Sequence, residues 1–261
     1  MDNSQDAERE ALDAQRTHQR SVFLSAFVKF LAVVAVVLLG VALLLPSVRS
    51  AREPARRNAC LNNLKQIGIA LMNYEAAHGS YPPAYTVDAN GRPLHSWRTL
   101  ILPHMEQKAL YDKIDLTKPW DDPANALAYN TIPDVYCCPS DPTDNAEKRR
   151  FTNYIAVVTP DSAIRTEDSL GYRALPSPAQ TLLVIDAGPK HATHWMSPID
   201  ADEEVVLGLD AKSKLPHNGN MFLGLFADGH GSALSLDATP TVRLAQITAS
   251  ADDNSELSGD D

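Results

Sequence analysis

The segment that decides the fold is "ARRNACLNNLKQIGIALMNYEAAHGSYPPAY", residues 55–85. Its apolar side chains recur at intervals of four, three, four and three residues, which places them on one face of an α-helix. They are Cys60, Leu64, Ile67, Leu71 and Tyr74. The stripe covers only two heptads, too few to require a coiled coil, so we predict that it packs on a sheet of its own domain.

A long apolar run precedes this helix. Residues 22–45, "VFLSAFVKFLAVVAVVLLGVALLL", contain a single charged residue, Lys29. A helix of this length spans about 36 Å, more than the roughly 30 Å hydrocarbon core of a bilayer. A signal peptide has a shorter apolar region of about 7–15 residues. We therefore predict an uncleaved transmembrane helix whose partner is the lipid bilayer, with a signal peptide cut after Ser50 as the alternative.

The charge of the chain excludes one class of partner. The net charge is -10, and residues 251–261 contribute five acidic residues and no basic one. An acidic chain without a basic stripe is not expected to bind nucleic acid. The tail 249–261 lacks apolar periodicity and is predicted to be disordered.

The remaining segments predict an α+β domain. Short apolar runs at 154–158, 181–185 and 221–227 are typical of strands, and Asp228-Gly229 is a hairpin turn signal after the last run. A helix, then antiparallel strands, then a short helix give this fold class.

Two further helices are predicted around these strands. The segment 103–115 predicts a single helix that begins at Pro103 and makes apolar contacts through Met105, Leu110 and Ile114. For a C-terminal helix, Thr239 is the expected N-cap and Pro240 the first helical residue. Its predicted apolar face consists of Val242, Leu244 and Ala245.

Several segments carry a family resemblance. They are "LLLPSVRSAREPARRNACLNNLKQIGIALMNY", "SWRTLILPHMEQKALYDKIDLTKPWDDPAN", "YCCPSDPTDN", "TLLVIDAGPKHATHWMSPIDADEE" and "HNGNMFLGLFADGH". In this order they resemble a large bacterial family of pilin-like proteins of unknown function. Its pattern is a prepilin-type amino terminus, a C-x-NNLKQIG-x-AL-x-NY helix, a C-P-S-D motif and an H-x9-DG segment. The resemblance implies a pilin-like fold, with a long N-terminal helix half in the membrane and half on an antiparallel sheet.

The chain departs from this pattern at its start and near its end. Prepilins are cut after a glycine and carry a glutamate at the fifth mature position, and these two positions fall on Leu24 and Lys29 here. The H-x9-DG segment corresponds to His217, Asp228 and Gly229, with ten residues between His217 and Asp228 instead of nine. The first departure predicts that prepilin peptidase does not process the chain, which then remains a single-pass anchor.

The arginines that flank the apolar run favour a different topology from the one that the family resemblance implies. Three precede the run and four follow it: Arg9, Arg16 and Arg20, then Arg49, Arg52, Arg56 and Arg57. The positive-inside rule favours a cytoplasmic domain, but long domains translocate largely regardless of flanking charge.

We follow the family resemblance and the cysteines in predicting the topology. Four segments are expected along the chain. They are a cytoplasmic polar segment 1–21, the membrane helix 22–45, an extracytoplasmic pilin-like domain 46–248 and the acidic tail 249–261.

Three cysteines, Cys60, Cys137 and Cys138, allow a structural disulfide. Adjacent residues of an extended segment point to opposite faces, so only one of Cys137 and Cys138 can face the core with Cys60. In the resemblance the cysteine of C-P-S-D is Cys138, which implies Cys60–Cys138, with Cys60–Cys137 as the second choice. A disulfide needs an oxidising compartment and so favours export. The alternative is three reduced, buried thiols.

Catalytic motifs are missing from the sequence, and we expect neither an enzyme nor a cofactor. There is no G-x-S-x-G elbow, H-E-x-x-H pair, C-x-x-C motif or phosphate-binding glycine loop. His191 and His194 are weak metal candidates, because no second ligand pair stands at metal spacing. Asp228 is expected to serve the hairpin turn, with His217 hydrogen-bonded across it.

Three function classes remain. The first is a membrane-anchored, pilin-like cell-envelope protein with a structural or interaction role, whose protein partners would be envelope or pilin-like proteins. The second is a pseudopilin subunit of a type II secretion or type IV pilus-like assembly. The third is an anchored metal-binding protein or enzyme that uses the region of His191 and His194. Leu24 and Lys29 disfavour the second class and the missing motifs disfavour the third, so the first is our prediction.

Overall fold

The computed structural model describes residues 3–140, 150–210, 212–213, 215–217 and 219–248. Within the first helix it describes the side chains at 20, 24–25, 27–40 and from 52 onward. The predicted acidic tail therefore lies outside the described residues, as do parts of the segments predicted at 1–21 and 22–45.

The first helix, α1, extends from Asn3 to His78 and includes Pro46 and Pro54. The chain divides into two units, Met1–Arg52 and Glu53–Asp261. In the first unit the large apolar side chains that the structure describes are exposed except for the half-buried Val34, and Leu24 for example is 65% exposed. When only the described residues are considered, no helix is long and apolar enough to cross a membrane.

The second unit contains the part of α1 from Glu53 to His78, and its other elements are short. The helices that follow α1 are α2 Trp97–Leu100, α3 Lys108–Tyr111, α4 Ala126–Tyr129, α5 Glu203–Leu207 and α6 Pro240–Ile247. Its strands are β1 Tyr85–Val87, β2 Pro93–Ser96, β3 Phe151–Thr152, β4 Tyr154–Ala156, β5 Leu182–Asp186, β6 Thr193–His194, β7 Met221–Phe226 and β8 Gly231–Ser235. Single 3-10 turns cover Leu102–Met105, Pro123–Asn125, Asp134–Tyr136, Tyr172–Ala174 and Pro189–His191.

The central sheet is antiparallel, with strand order β4-β5-β7-β8. Strands β1 and β2 form a separate antiparallel pair, and so do β3 and β6. The prediction of an α+β fold is confirmed, and the three predicted strand segments coincide with β4, β5 and β7. The strand β4 is shorter than its apolar run, since Val157 and Val158 form isolated parallel bridges with Ala201 and Ile164.

The predicted stripe of α1 lies in the core. Cys60, Leu64, Ile67 and Leu71 are fully buried, in one cluster with the sheet residues Leu183, Leu223 and Leu225. Tyr74 packs at the edge of this cluster. The prediction that this helix face packs on a sheet of its own domain is confirmed.

Gly68 allows α1 to approach the sheet closely. A Cβ atom at this position would lie 2.8 Å from Cδ1 of Leu225 and 3.4 Å from the carbonyl oxygen of Gly229. The first distance is shorter than van der Waals contact, so a side chain at position 68 would require the Leu225 side chain to shift and would contact the backbone of the β7–β8 turn.

A second cluster covers the other face of the sheet. It joins Ile155, Leu182, Ile185, Phe222 and Phe226 to residues of α5 and α6. Strands β4, β5 and β7 are thus buried on both faces, in agreement with their continuous apolar runs, whereas the edge strand β8 is half-buried to exposed.

The hairpin turn and the C-terminal helix occur where the sequence predicts them. Gly229 adopts φ +87°, a conformation that glycine tolerates best, and its N–H donates to the carbonyl of Phe226. The side chain of Thr239 accepts a hydrogen bond from the N–H of Val242 at the start of α6. The buried face of α6 differs from the prediction, because Arg243 and Ile247 are buried with Ala245 while Val242 and Leu244 are half-buried.

The single helix predicted at 103–115 is wrong. The chain forms the 3-10 turn Leu102–Met105 and then α3, Lys108–Tyr111. Between them Glu106 adopts the left-handed conformation, φ 57°, and its N–H donates to the carbonyl of Leu102. This backbone turn ends the first helical piece, which periodicity alone does not reveal.

Arg98 connects several of the short elements. Its side chain is fully buried and its Nη1 lies 2.6 Å from Oδ1 of Asp200. It also donates to four backbone carbonyls, those of Tyr154, Trp195, Ser197 and Ile199. Burial raises the pKa of Asp200, and the neighbouring Arg98 opposes that rise.

Replacement of Arg98 by methionine should lower the free energy of unfolding by roughly 3–5 kcal/mol, because it leaves the Asp200 carboxylate buried without its cation. Urea denaturation of the purified protein measures this loss. The control is Lys108→Met, which removes the exposed ion pair with Asp112 and should cost about 0.5 kcal/mol or less. Equal losses in the two variants would contradict a central role for Arg98.

Candidate functional site

Four side chains from distant parts of the sequence meet beneath α1. Cys60 comes from the buried face of α1, and Cys138 follows the 3-10 turn Asp134–Tyr136. Asp186 is the last residue of β5, and His217 lies in the loop before β7. All four residues are buried, and one ligand atom from each lies within 4.8 Å of the others. We call these four residues the cysteine–histidine cluster.

A disulfide joins Cys60 to Cys138, with 5.2 Å between the Cα atoms and a sequence separation of 78. This is the first of the two pairings considered from the sequence. Cys137 is half-buried and retains its thiol. The amide of Asn63 donates to the carbonyl of Cys137 at 2.9 Å, so α1 also holds the peptide next to the bridge.

His217 packs against the disulfide and pairs with Asp186. Its Nε2 lies 3.1 Å from Oδ2 of Asp186 and 3.8 Å from Sγ of Cys138. The side chains of both His217 and Asp186 are completely buried. The other carboxylate oxygen of Asp186 accepts a hydrogen bond from the N–H of Gly188. A carboxylate can only accept, so the Nε2–H of His217 donates to Asp186.

The expected hydrogen bond of His217 across the hairpin turn is therefore wrong. Asp228 instead uses Oδ1 to accept from the backbone N–H of His230, two residues further on. Asp228 does serve the turn, as predicted. His217 finds its partner 31 positions away in sequence because β5 and β7 are neighbours in the sheet.

Glu53 faces the other ring nitrogen of His217. Its Oε1 lies 3.8 Å from Nδ1, too far for a hydrogen bond. Both atoms are buried, and neither has a hydrogen-bond partner within the part of the chain that the structure describes. Glu53 precedes Cys60 by seven residues, or two turns of α1, so the two side chains lie on the same side of the helix.

The sequence patterns do not identify Asp186 and Glu53 as residues of this site. Asp186 is the last residue of the buried strand β5, and an acidic residue at the end of an apolar run is a usable signal in the sequence. Glu53 gives no comparable signal, because it lies in a charged stretch, "AREPARR", where acidic residues are ordinary.

The weak metal candidates His191 and His194 lie outside the cysteine–histidine cluster. The ring of His194 stacks on Tyr129, and its Nδ1 accepts from the N–H of Met196 while Nε2 lies 3.1 Å from the carbonyl of Tyr129. Burial is the largest cause that lowers the pKa of His194, to about 4. Within the described ranges, neither histidine belongs to a group of three or more metal-ligand side chains.

In the oxidised state the cluster has a structural role, since its two cysteines form a covalent link. The bridge closes a long loop between α1 and the segment before residue 141, and it connects the first helix to the rest of the second unit. Such a closure restricts the unfolded chain.

The disulfide predicts the number of reactive thiols. In the denatured, unreduced protein, thiol titration should find about one reactive cysteine of the three, and peptide mapping should identify it as Cys137. Cys138→Ser should free Cys60 and lower the free energy of unfolding by about 4 kcal/mol, because it removes the loop closure. Cys137→Ser is the matched control and should change it by less than about 1 kcal/mol. Three reactive thiols in the unreduced protein would contradict the bridge.

Comparison with known proteins identifies a family. A family model with the description "Protein of unknown function (DUF1559)" matches residues 49–206, more than half of the chain. The matched range includes Glu53, Cys60, Cys138 and Asp186 and ends before His217. No curated protein and no solved structure matches the chain. The chain therefore belongs to the DUF1559 family, whose function is unknown.

Proposed function

We propose that the protein is a membrane-anchored, pilin-like component of the cell envelope with a structural or interaction role rather than a catalytic one. In this proposal residues 22–45 lie in the bilayer, residues 1–21 remain in the cytoplasm and residues 46–248 lie outside the membrane. The DUF1559 match supports the family, and the remaining statements rest on the sequence and on the contacts of α1.

The observation that carries the proposal is the contrast along α1. Between residues 24 and 39 the large apolar side chains that the structure describes are exposed apart from the half-buried Val34, for example 68% for Val36. Between Cys60 and Leu71 the apolar stripe is buried in the domain. A large exposed apolar surface is costly in water and favours a lipid or protein environment.

The disulfide supports placement of the domain outside the cytoplasm. Disulfides persist in oxidising compartments and are rare in the cytosol. The bridge between Cys60 and Cys138 therefore favours export over the cytoplasmic location that the flanking arginines suggest.

A pseudopilin subunit is the second candidate, because the exposed apolar part of α1 would suit a filament core as well as a bilayer. Leu24 and Lys29 disfavour the pseudopilin. They occupy the positions where prepilins carry the glycine before the cleavage site and the glutamate at the fifth mature position. In a filament a lysine there would repel a neighbouring chain's terminal amine.

Intact mass distinguishes the anchor from the pseudopilin. Protein extracted from membranes should retain its first 24 residues, because Leu24 is unsuited to prepilin cleavage. Mass spectrometry of the Leu24→Gly, Lys29→Glu double variant, expressed beside a prepilin peptidase, provides the comparison. A wild-type species that begins at Ser25 and is methylated there would support the filament subunit and contradict the anchor.

Protease accessibility tests the topology. Protease added to intact spheroplasts should remove the domain, and an antibody against residues 1–21 should still detect a small membrane-embedded fragment. The control is lysed spheroplasts, in which the fragment should shorten further. Full protection of the domain in intact spheroplasts would place it in the cytoplasm and overturn the proposed location.

A further inference from the structure

The cysteine–histidine cluster has the composition of a metal site. The cluster offers two sulfur atoms, one imidazole nitrogen and one carboxylate oxygen. Zn²⁺ binds all three kinds of ligand atom in proteins, usually four of them in a tetrahedron. In the folded domain these four atoms already lie within 4.8 Å of one another, and all four residues are buried. No other group of three or more such side chains occurs in the described ranges.

We propose that, before the Cys60–Cys138 bond forms, the two thiolates bind one Zn²⁺ ion together with Nε2 of His217 and Oδ2 of Asp186. The proposal assigns a metal site to residues other than the histidines that the sequence suggested. It goes beyond the proposed envelope role, because it concerns the reduced chain.

The observed distances are close to those that the ion requires. With Zn–S bonds of about 2.3 Å and Zn–N or Zn–O bonds of about 2.0–2.2 Å, tetrahedral ligand atoms are roughly 3.3–3.8 Å apart. His217 Nε2 lies 3.8 Å from Sγ of Cys138 and 3.1 Å from Oδ2 of Asp186. Two adjustments are needed once the bond is absent: the two sulfur atoms must separate, and ligand atoms near the 4.8 Å limit of the group must move closer.

Glu53 supplies a second, independent argument. Histidines that bind zinc through one ring nitrogen usually donate the other N–H to a carboxylate or carbonyl. His217 Nδ1 is buried and without a hydrogen-bond partner in the described structure, and the equally unpartnered Oε1 of Glu53 lies 3.8 Å away. If Nε2 binds the metal, the proton moves to Nδ1, and it can be donated to Glu53 once the two atoms move within hydrogen-bond distance. In the oxidised domain, no hydrogen bond among the described residues explains why Oε1 of Glu53 is buried opposite His217 Nδ1.

Oxidation and metal binding exclude each other at this site. A low-molecular-weight or protein disulfide, R–S–S–R, can oxidise the zinc-bound thiolates. The two cysteine sulfurs lose two electrons and form the Cys60–Cys138 bond, the oxidant becomes two R–SH with two protons from water, and Zn²⁺ leaves. The ion would thus hold α1 on the sheet in the newly made, reduced chain, and the disulfide would replace it.

Metal analysis of the full-length chain in detergent tests the proposal. After reduction with a trialkylphosphine and exposure to ZnCl₂, the wild type should retain about one zinc ion per chain after desalting, and the oxidised wild type should retain none. With Co²⁺ instead, the reduced protein should show thiolate-to-cobalt charge-transfer absorption and the visible bands of a tetrahedral ion. Reduced wild type without stoichiometric metal would overturn the proposal.

Variants identify the ligands. Cys138→Ser and His217→Ala should lose the tetrahedral cobalt spectrum, whereas Cys137→Ser, which changes the adjacent cysteine, should keep it. His217→Cys should restore the spectrum with stronger thiolate absorption, which separates loss of a ligand from loss of the fold. Glu53→Gln should weaken zinc affinity by about 10-fold. An unchanged spectrum in His217→Ala, or its loss in Cys137→Ser, would show that the metal is bound elsewhere.

Discussion

The packing of one face of α1 on the antiparallel sheet is the contact on which the rest of the second unit depends. The stripe from Cys60 to Leu71 is fully buried, and Gly68 lets the helix approach Leu225 and the β7–β8 turn. The hydrophobic effect drives this contact, but the helix spacing fixes which side chains reach the centre. Cys60 and Glu53 arrive at the cysteine–histidine cluster because they share this side of the helix.

The short elements around the sheet leave many backbone carbonyls without partners in a helix or strand, and buried side chains satisfy several of them. Arg98 donates to four carbonyls. Arg243 donates to the carbonyls of Val206, Leu207 and Leu209 at and just after the end of α5, and to that of Leu236 after β8. Asn125 does the same for Asp115 and Pro119. Buried polar groups must be paired, so in a domain with few regular hydrogen bonds long polar side chains become part of the core.

The cysteine–histidine cluster has one described state and one proposed state. In the described structure Cys60 and Cys138 are bonded, and such bonds persist in oxidising compartments. In the proposed reduced state, the same two sulfurs would bind a zinc ion together with His217 and Asp186. One set of buried residues would then hold α1 in place by a metal when the cysteines are reduced and by a covalent bond when they are oxidised.

The sequence by itself determined the local features of this protein. Helix periodicity identified the buried stripe of α1, apolar runs identified β4, β5 and β7, and Asp228-Gly229 and Thr239-Pro240 identified a turn and a helix start. Each of these depends on residues within a few positions of one another, where spacing and backbone preference act directly. The break at Glu106 was missed because a single left-handed residue interrupts a pattern that otherwise fits a helix.

Only the tertiary structure decided the long-range pairings. His217 pairs with Asp186 and not with a residue across the hairpin turn. Asp200 forms an ion pair with Arg98, which lies 102 positions earlier in the chain, and Glu53 faces the distant His217. No spacing rule relates such residues, because their separation in sequence is set by loops and their separation in space by strand order. The composition of the candidate site therefore became visible only when the sheet brought β5, the loop before β7 and α1 together.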